Sequence, residues 1–157
     1  MSTVEASTEV NAPIETVYNQ WTQFEDFPRF MEGVKEVRQI DDTELQWRAE
    51  IAGKEREWRA KILEQEPNRR IAWTSLEGAE NGGVVTFEEI EPGRTRINLT
   101  LEYEPDDTIE KVGDALGVLK LQVKRDVERF KGFLEERGVE TGAWRGEVRG
   151  GETQRTA

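Results

Sequence analysis

The amino-acid sequence predicts an α+β domain, a strongly curved antiparallel sheet wrapped around a long C-terminal helix. Three observations point to it. Short segments with strand-like alternation follow one another between turn residues such as Gly53-Lys54, Pro67-Asn68 and Pro92-Gly93. Their hairpins can be paired so that apolar side chains share one face. One apolar stripe at helical spacing then runs from Ile109 to Leu134.

Val4, Ala6, Thr8 and Val10 alternate with polar residues and predict the first strand. Pro13 suits the first turn of a helix, where its missing N–H costs nothing. Ile14, Val17, Tyr18 and Trp21 follow on one face of that helix. Phe24 to Met31 reads as a second short helix rich in aromatics, ended by Gly33. Strands are expected at about 34–40, 43–52, 55–66, 69–76, 83–91 and 95–104.

A two-residue turn at Gly53-Lys54 sets Ile51 opposite Arg56, Ala49 opposite Trp58, Trp47 opposite Ala60 and Leu45 opposite Ile62. A turn at Pro67-Asn68 sets Ile62 against Trp73 and Ala60 against Ser75. A loop at Pro92-Gly93-Arg94 pairs Phe87 with Leu99, Val85 with Leu101 and Gly83 with Tyr103. A slip of one residue would turn any of these strands inside out, so agreement across three hairpins constrains the sheet strongly. The opposite faces carry Arg48, Glu57, Arg59, Lys61, Arg96 and Glu102, which makes the sheet apolar within and charged without.

Asp107 is the expected N-cap of the last helix, with Glu110 three positions on, and Gly138 its expected end. Val112, Leu116, Leu119, Val123, Val127, Phe130 and Leu134 continue its stripe. Residues 1–138 are read as one domain. Residues 139–157, rich in Gly, Arg, Glu and Thr without periodicity, are expected to be a disordered tail in which Trp144 does not dock.

Composition narrows the function. The chain has 157 residues, enough for one core, and 33 acidic against 22 basic residues give a net charge of −11. That disfavours nucleic acid and anionic membrane as partners. Cysteine and histidine are both absent, which removes disulfides, thiolate metal sites, and the commonest general base and metal ligand. No metal and no cofactor is expected. No run approaches the ~18 apolar residues of a membrane span. Met1 to Glu9 lacks a basic segment followed by an apolar one, so a cytoplasmic protein is expected.

The order of elements resembles that of the START-related, helix-grip superfamily, which includes polyketide cyclases/dehydrases, coenzyme Q-binding proteins and pollen-allergen-like lipid carriers. Val10-Asn11-Ala12-Pro13-Ile14-Glu15-Thr16-Val17-Tyr18, then Trp21, Phe27-Pro28-Arg29-Phe30 and the strand from Gly83 to Phe87, carry that resemblance over about residues 3–137. It implies a seven-stranded sheet gripping the last helix, with a cavity between them that admits hydrophobic ligands.

The inward aromatics Trp47, Trp58, Trp73, Phe87 and Tyr103, with Trp21 and Phe27, either fill the core or wall such a cavity. Small residues on the same surfaces, Ala49, Ala60, Ser75, Gly83 and Gly113, leave room for a ligand, and Leu116 is a further expected wall residue. Two cations stand near the inner surface. Lys120 lies about 40° from the stripe centre, at about 100° per residue, and Arg56 sits on the inward face of its strand. Each either reaches out to water or holds a ligand oxygen by a charge-assisted bond. Tyr103 and Ser75 could add neutral hydrogen bonds.

Aromatase/cyclase members of the superfamily use an inward arginine and cavity hydroxyls, whereas the deeper inward positions here are Ala60 and Ile62. Arg56, Tyr103 and Lys120 are the remaining catalytic candidates, none of them an obvious base. The Gly78-Ala79-Glu80-Asn81-Gly82-Gly83 run is expected to be a turn, since no helix start follows it. Val118, Leu121 and Phe133 lie off the stripe and could meet a protein partner or a second copy. The leading expectation is binding or transfer of a lipid, quinone or polyketide-like molecule. The alternatives are an aromatic polyketide cyclase/dehydratase, and a protein-interaction module with a filled cavity.

Overall fold

The computed structural model describes residues 2–51, 54–78, 81–103 and 112–154; of residues 2, 51, 103 and 112–116 it describes the backbone. Among the described residues nine strands and three helices follow in chain order: β1 (Ser2–Val10), α1 (Ile14–Trp21), a 3-10 helix (Phe24–Arg29), β2 (Val34–Gln39), β3 (Glu44–Ile51), β4 (Lys54–Glu66), β5 (Arg70–Gly78), β6 (Asn81–Glu91), β7 (Arg94–Tyr103), α2 (Val112–Arg137), β8 (Val148–Arg149) and β9 (Glu152–Thr153). The first seven strands form one antiparallel sheet in the order β1-β7-β6-β5-β4-β3-β2, and it curves around α2. This is the expected α+β helix-grip architecture, with two short strands added at the C-terminal end.

The core lies between sheet and helices. Leu119, Val123, Val127, Phe130 and Leu134 of α2 are buried, as the stripe requires. Gly138 ends the helix with φ 76°, its N–H donating to the Leu134 carbonyl at 2.8 Å. Trp21 of α1 meets Phe130 edge-on at 4.9 Å between ring centroids and Phe27 at 5.5 Å. These rings close one end of the grip. The expected N-cap at Asp107 lies outside the described residues.

Inward and outward faces fall as the alternation predicts, but two of the three hairpins pair differently. Trp47 faces Trp58, Ala49 faces Arg56 and Leu45 faces Ala60, a shift of two from the expected partners. Likewise Phe87 faces Ile97, Val85 faces Leu99 and Gly83 faces Leu101. A two-residue slip leaves every side chain on its own face, so hydrophobic patterning does not distinguish the two registers. Turn geometry does: Pro92-Gly93 is a two-residue connection between Glu91 and Arg94, with Gly93 at φ 82°, and the register shifts between Glu89 and Glu91. The β4–β5 hairpin pairs Ile62 with Trp73 and Ala60 with Ser75, as expected, but it closes with Glu66 facing Arg70, and a bulge between Ile62 and Glu64 restores the expected partners.

Asn81-Gly82-Gly83 is not a turn. It opens β6, where Gly82 faces Thr74 and Gly83 faces Trp73. A Cβ on Gly83 would stand 2.6 Å from the Thr100 carbonyl oxygen and 2.8 Å from Cζ2 of Trp73. Glycine is there to let backbone and indole approach. Gly83→Ala is expected to cost about 2 kcal/mol of stability through forced repacking, measured by urea unfolding.

The segment after Gly138, expected to be disordered, is ordered through residue 154 and straps across α1 and β4. Thr141 and the Gln20 amide exchange two hydrogen bonds, at 2.9 and 3.1 Å. The Trp144 N–H donates to Thr22 Oγ1 at 3.1 Å, and the Trp144 ring is partly buried against the core. Arg145 donates to Asn19 and Asn68 at 2.6 and 2.9 Å while lying over the Tyr18 ring. Val148 is fully buried and pairs with Gln65. Gly150 and Gly151, at φ 58° and 79°, then turn the chain so that Arg149 faces Glu152. Two positive φ values are what a two-residue hairpin needs. The strap is held by scattered polar contacts with residues 77 to 126 positions away and by two isolated apolar anchors, Trp144 and Val148, so it leaves no periodic apolar trace in its own sequence.

Candidate functional site: an apolar cavity under the long helix

Because α2 crosses a concave sheet rather than a flat one, the two do not meet everywhere. A cavity of about 140 Å³ remains between them. Its floor is laid by Leu45, Trp47 and Ala49 of β3, Trp58 and Ala60 of β4, and Trp73 of β5. Leu119, Val123 and Asp126 of α2 form the roof, and Phe24, Phe27 and Met31 close the side toward the 3-10 helix. An apolar cavity of ~150 Å³ suffices for a single aromatic ring.

The wall has a flat aromatic section. Trp47 and Trp58, direct cross-strand partners, stack with centroids 5.8 Å apart and planes 5° from parallel. Both indole Nε1 atoms are buried without a hydrogen-bond partner among the described residues. Trp73 continues the wall on the next strand, seated against Gly83.

At one edge the lining is polar. Gln122 of α2 donates its Nε2 to the Glu50 carbonyl at 3.2 Å, and the Glu50 N–H donates to the Gly33 carbonyl at 2.7 Å. A Cβ on Gly33 would collide with that Gln122 nitrogen at 1.6 Å. The glycine therefore lets α2 fasten to β3. One turn further along α2 stands Asp126, 7% exposed. Its Oδ1 has no hydrogen-bond partner among the described residues, and Arg129 Nη1 lies 4.0 Å from it. Burial pushes the Asp126 carboxyl up to about 6, against the pull of Arg129 and of the Glu32 backbone N–H; the Glu32 charge pushes in the same direction as burial.

The expected site residues divide. Trp47, Trp58 and Trp73 line the cavity. Phe87 does not: it packs edge-on against Tyr18 at 5.2 Å and lies 6.3 Å from Trp21, so α1 covers it. Ser75 is outside the lining and accepts the Asn81 N–H at 3.2 Å, which ties the β5–β6 connection. Lys120 is exposed and borders an outer groove with Lys124, Ser7 and Asn98. Its long stem carries the ammonium to water. Arg56 is half-buried opposite Ala49 and is not among the lining residues. Tyr103 pairs through its backbone with Ser2 and Asn81, and its side chain, like that of Leu116, lies outside the description. Phe133, expected on the outer face, is partly buried and meets Phe30 at 5.1 Å. Sequence reasoning missed Asp126 and Gln122. Asp126 stands seven residues after Leu119 and three after Val123, within the apolar stripe. A carboxylate interrupting that stripe was the available signal.

A curved sheet gripping a helix over an internal apolar cavity defines a helix-grip ligand-binding architecture. The sequence matches the polyketide cyclase / dehydrase and lipid transport family over residues 10–132, and the chain belongs to that family. An uncharacterised 17.2 kDa protein of Streptomyces lincolnensis is 52% identical over 149 residues, 94% of this chain and 99% of its own. A crystal structure from Deinococcus radiodurans is 27% identical and superposes with a TM-score of 0.69, covering 87% of this chain and 99% of that one. The Zhui aromatase/cyclase of Streptomyces sp. R1128 superposes with a TM-score of 0.74 over 91% of this chain and 99% of its own. At 18% identity that last likeness concerns the fold. No helix among the described residues is long and apolar enough to cross a membrane.

Proposed function

We propose that this protein binds and carries a small apolar molecule in the cavity beneath α2, with Trp47, Trp58 and Trp73 as its wall. The cytoplasm is its expected place of work. The carrying observation is the composition of that cavity: aromatic and aliphatic side chains make up most of its lining, and neither Arg56 nor Lys120 is among the lining residues. A cyclase of the kind outlined above needs a cation or hydroxyl to polarise a carbonyl as well as a base. The enzyme reading keeps one supporting feature, Asp126, whose raised pKa suits proton transfer near neutral pH. A protein partner or second copy would find Val118 and Leu121, which are 50% and 57% exposed on α2.

Filling the cavity tests the carrier reading. Ala49→Leu adds three carbons to the floor from β3, and Ala60→Leu does the same from β4. Each is expected to weaken binding of p-xylene at least tenfold in an NMR titration while leaving the fold intact. Unchanged affinity in both variants would place the bound molecule elsewhere.

A further inference from the structure

Apart from its indoles, the cavity presents one kind of charge. Asp126 lies in the roof, more than nine-tenths buried, with Oδ1 lacking a hydrogen-bond partner among the described residues. Glu102 stands at the margin, while no lysine or arginine is among the lining residues described. Arg129 is not among the lining residues; its Nη1 lies 4.0 Å from Asp126 Oδ1 and 2.8 Å from Glu32, and its side chain is 44% exposed. The neighbouring amide of Gln122 is engaged with the Glu50 carbonyl. A ligand entering between the Trp47–Trp58 stack and α2 therefore meets a carboxyl able to accept a hydrogen bond, and no countercharge for an anion.

We infer that the cavity selects ring-bearing molecules with a hydrogen-bond donor, a hydroxyl or amine directed at Asp126, and excludes carboxylates. This rests on the carrier reading and specifies its ligand. An ionised carboxyl accepting a donor makes a charge-assisted bond, roughly twice as strong as a neutral one. A ligand carboxylate in the same place would be buried unpaired beside a like charge. Free fatty acids and other aromatic or aliphatic acids are thereby disfavoured, whereas phenols, aryl amines and hydroxylated rings are favoured. Without a partner, a ligand hydroxyl would lose water and gain nothing, so a donor preference has a sign opposite to simple hydrophobicity.

The test is an NMR titration of the full chain at pH 7.5 with p-xylene, p-cresol and p-toluate, which share one ring size. p-Cresol is expected to bind at least fivefold more tightly than p-xylene, and p-toluate at least tenfold more weakly. Asp126→Leu should reverse the first order, so that p-xylene binds more tightly than p-cresol. Asp126→Asn, which keeps the shape without the charge, should reduce the cresol preference and partly relieve the exclusion of p-toluate. p-Toluate binding as tightly as p-cresol, or a cresol preference that survives in Asp126→Leu, would overturn the inference. Equal binding of p-xylene and p-cresol would overturn it and leave the carrier reading standing. Failure of all three probes to bind would overturn both.

Discussion

Deletion of residues 139–157 is expected to destabilise the domain by at least about 4 kcal/mol, a large share of the ~5–15 kcal/mol that domains possess. Removing fully buried Val148 forfeits about 1.5–2 kcal/mol of apolar burial. The deletion also strips hydrogen-bond partners from Asn19, Gln20 and Thr22, all of them buried, at roughly 1 kcal/mol or more each. Uncovering Tyr18 and the partly buried Trp144 site adds to the loss. A truncated chain should therefore show a much lower urea midpoint and loosened near-ultraviolet dichroism. A midpoint equal to that of the intact chain would mean that the strap is only laid on the surface. The single substitution Val148→Asp should reproduce much of the effect, because it places a charge where no water reaches.

The second large effect runs the other way. Asp126→Asn is expected to stabilise the protein by about 1–2 kcal/mol at pH 7.5, once solvent screening is allowed for. Burial raises the folded-state pKa from 3.8 to about 6, so folding takes up a proton between those values. The folded state is thus favoured most below about pH 4, and that contribution is lost as pH rises through 6. Above that range the protein buries an ionised carboxyl at a cost, which asparagine avoids. Unfolding curves of wild type and variant should diverge from pH 4 to pH 7 and coincide at the acid end. A variant less stable than wild type at pH 7.5 would mean that the carboxylate is held by contacts stronger than the desolvation it suffers. A stability penalty retained at the wall of a cavity is characteristic of groups kept for binding rather than for folding.

These two effects mark where the sequence was legible and where it was not. Alternation fixed which residues of β3 to β7 point inward, because a face assignment needs only local periodicity. Partner choice across the β3–β4 and β6–β7 hairpins needed the loop geometry, and registers two residues apart satisfy the same alternation. The wall tryptophans were legible as inward aromatics. Phe87 shares their face but sits under α1, a tertiary fact invisible to strand periodicity. Lys120 lay close enough to the helix stripe to be weighed as inward, yet a flexible stem resolves such positions toward water. Composition alone predicts a disordered tail where the strap lies, although Gly150-Gly151 between Arg149 and Glu152 is itself a hairpin signal. Asp126 is a single carboxyl within an apolar helix stripe, and helical periodicity alone does not tell a residue facing a cavity from one facing a packed core.

The central claim is that the cavity beneath α2 holds a small molecule. Native mass spectrometry of the protein after incubation with a lipid and quinone extract of its own cells tests it most directly, run beside the Ala49→Leu variant. The account predicts a retained adduct on the wild-type chain, lost on denaturation and much reduced on the variant. A bare wild-type protein across repeated preparations, or an adduct indifferent to the filled cavity, would contradict it.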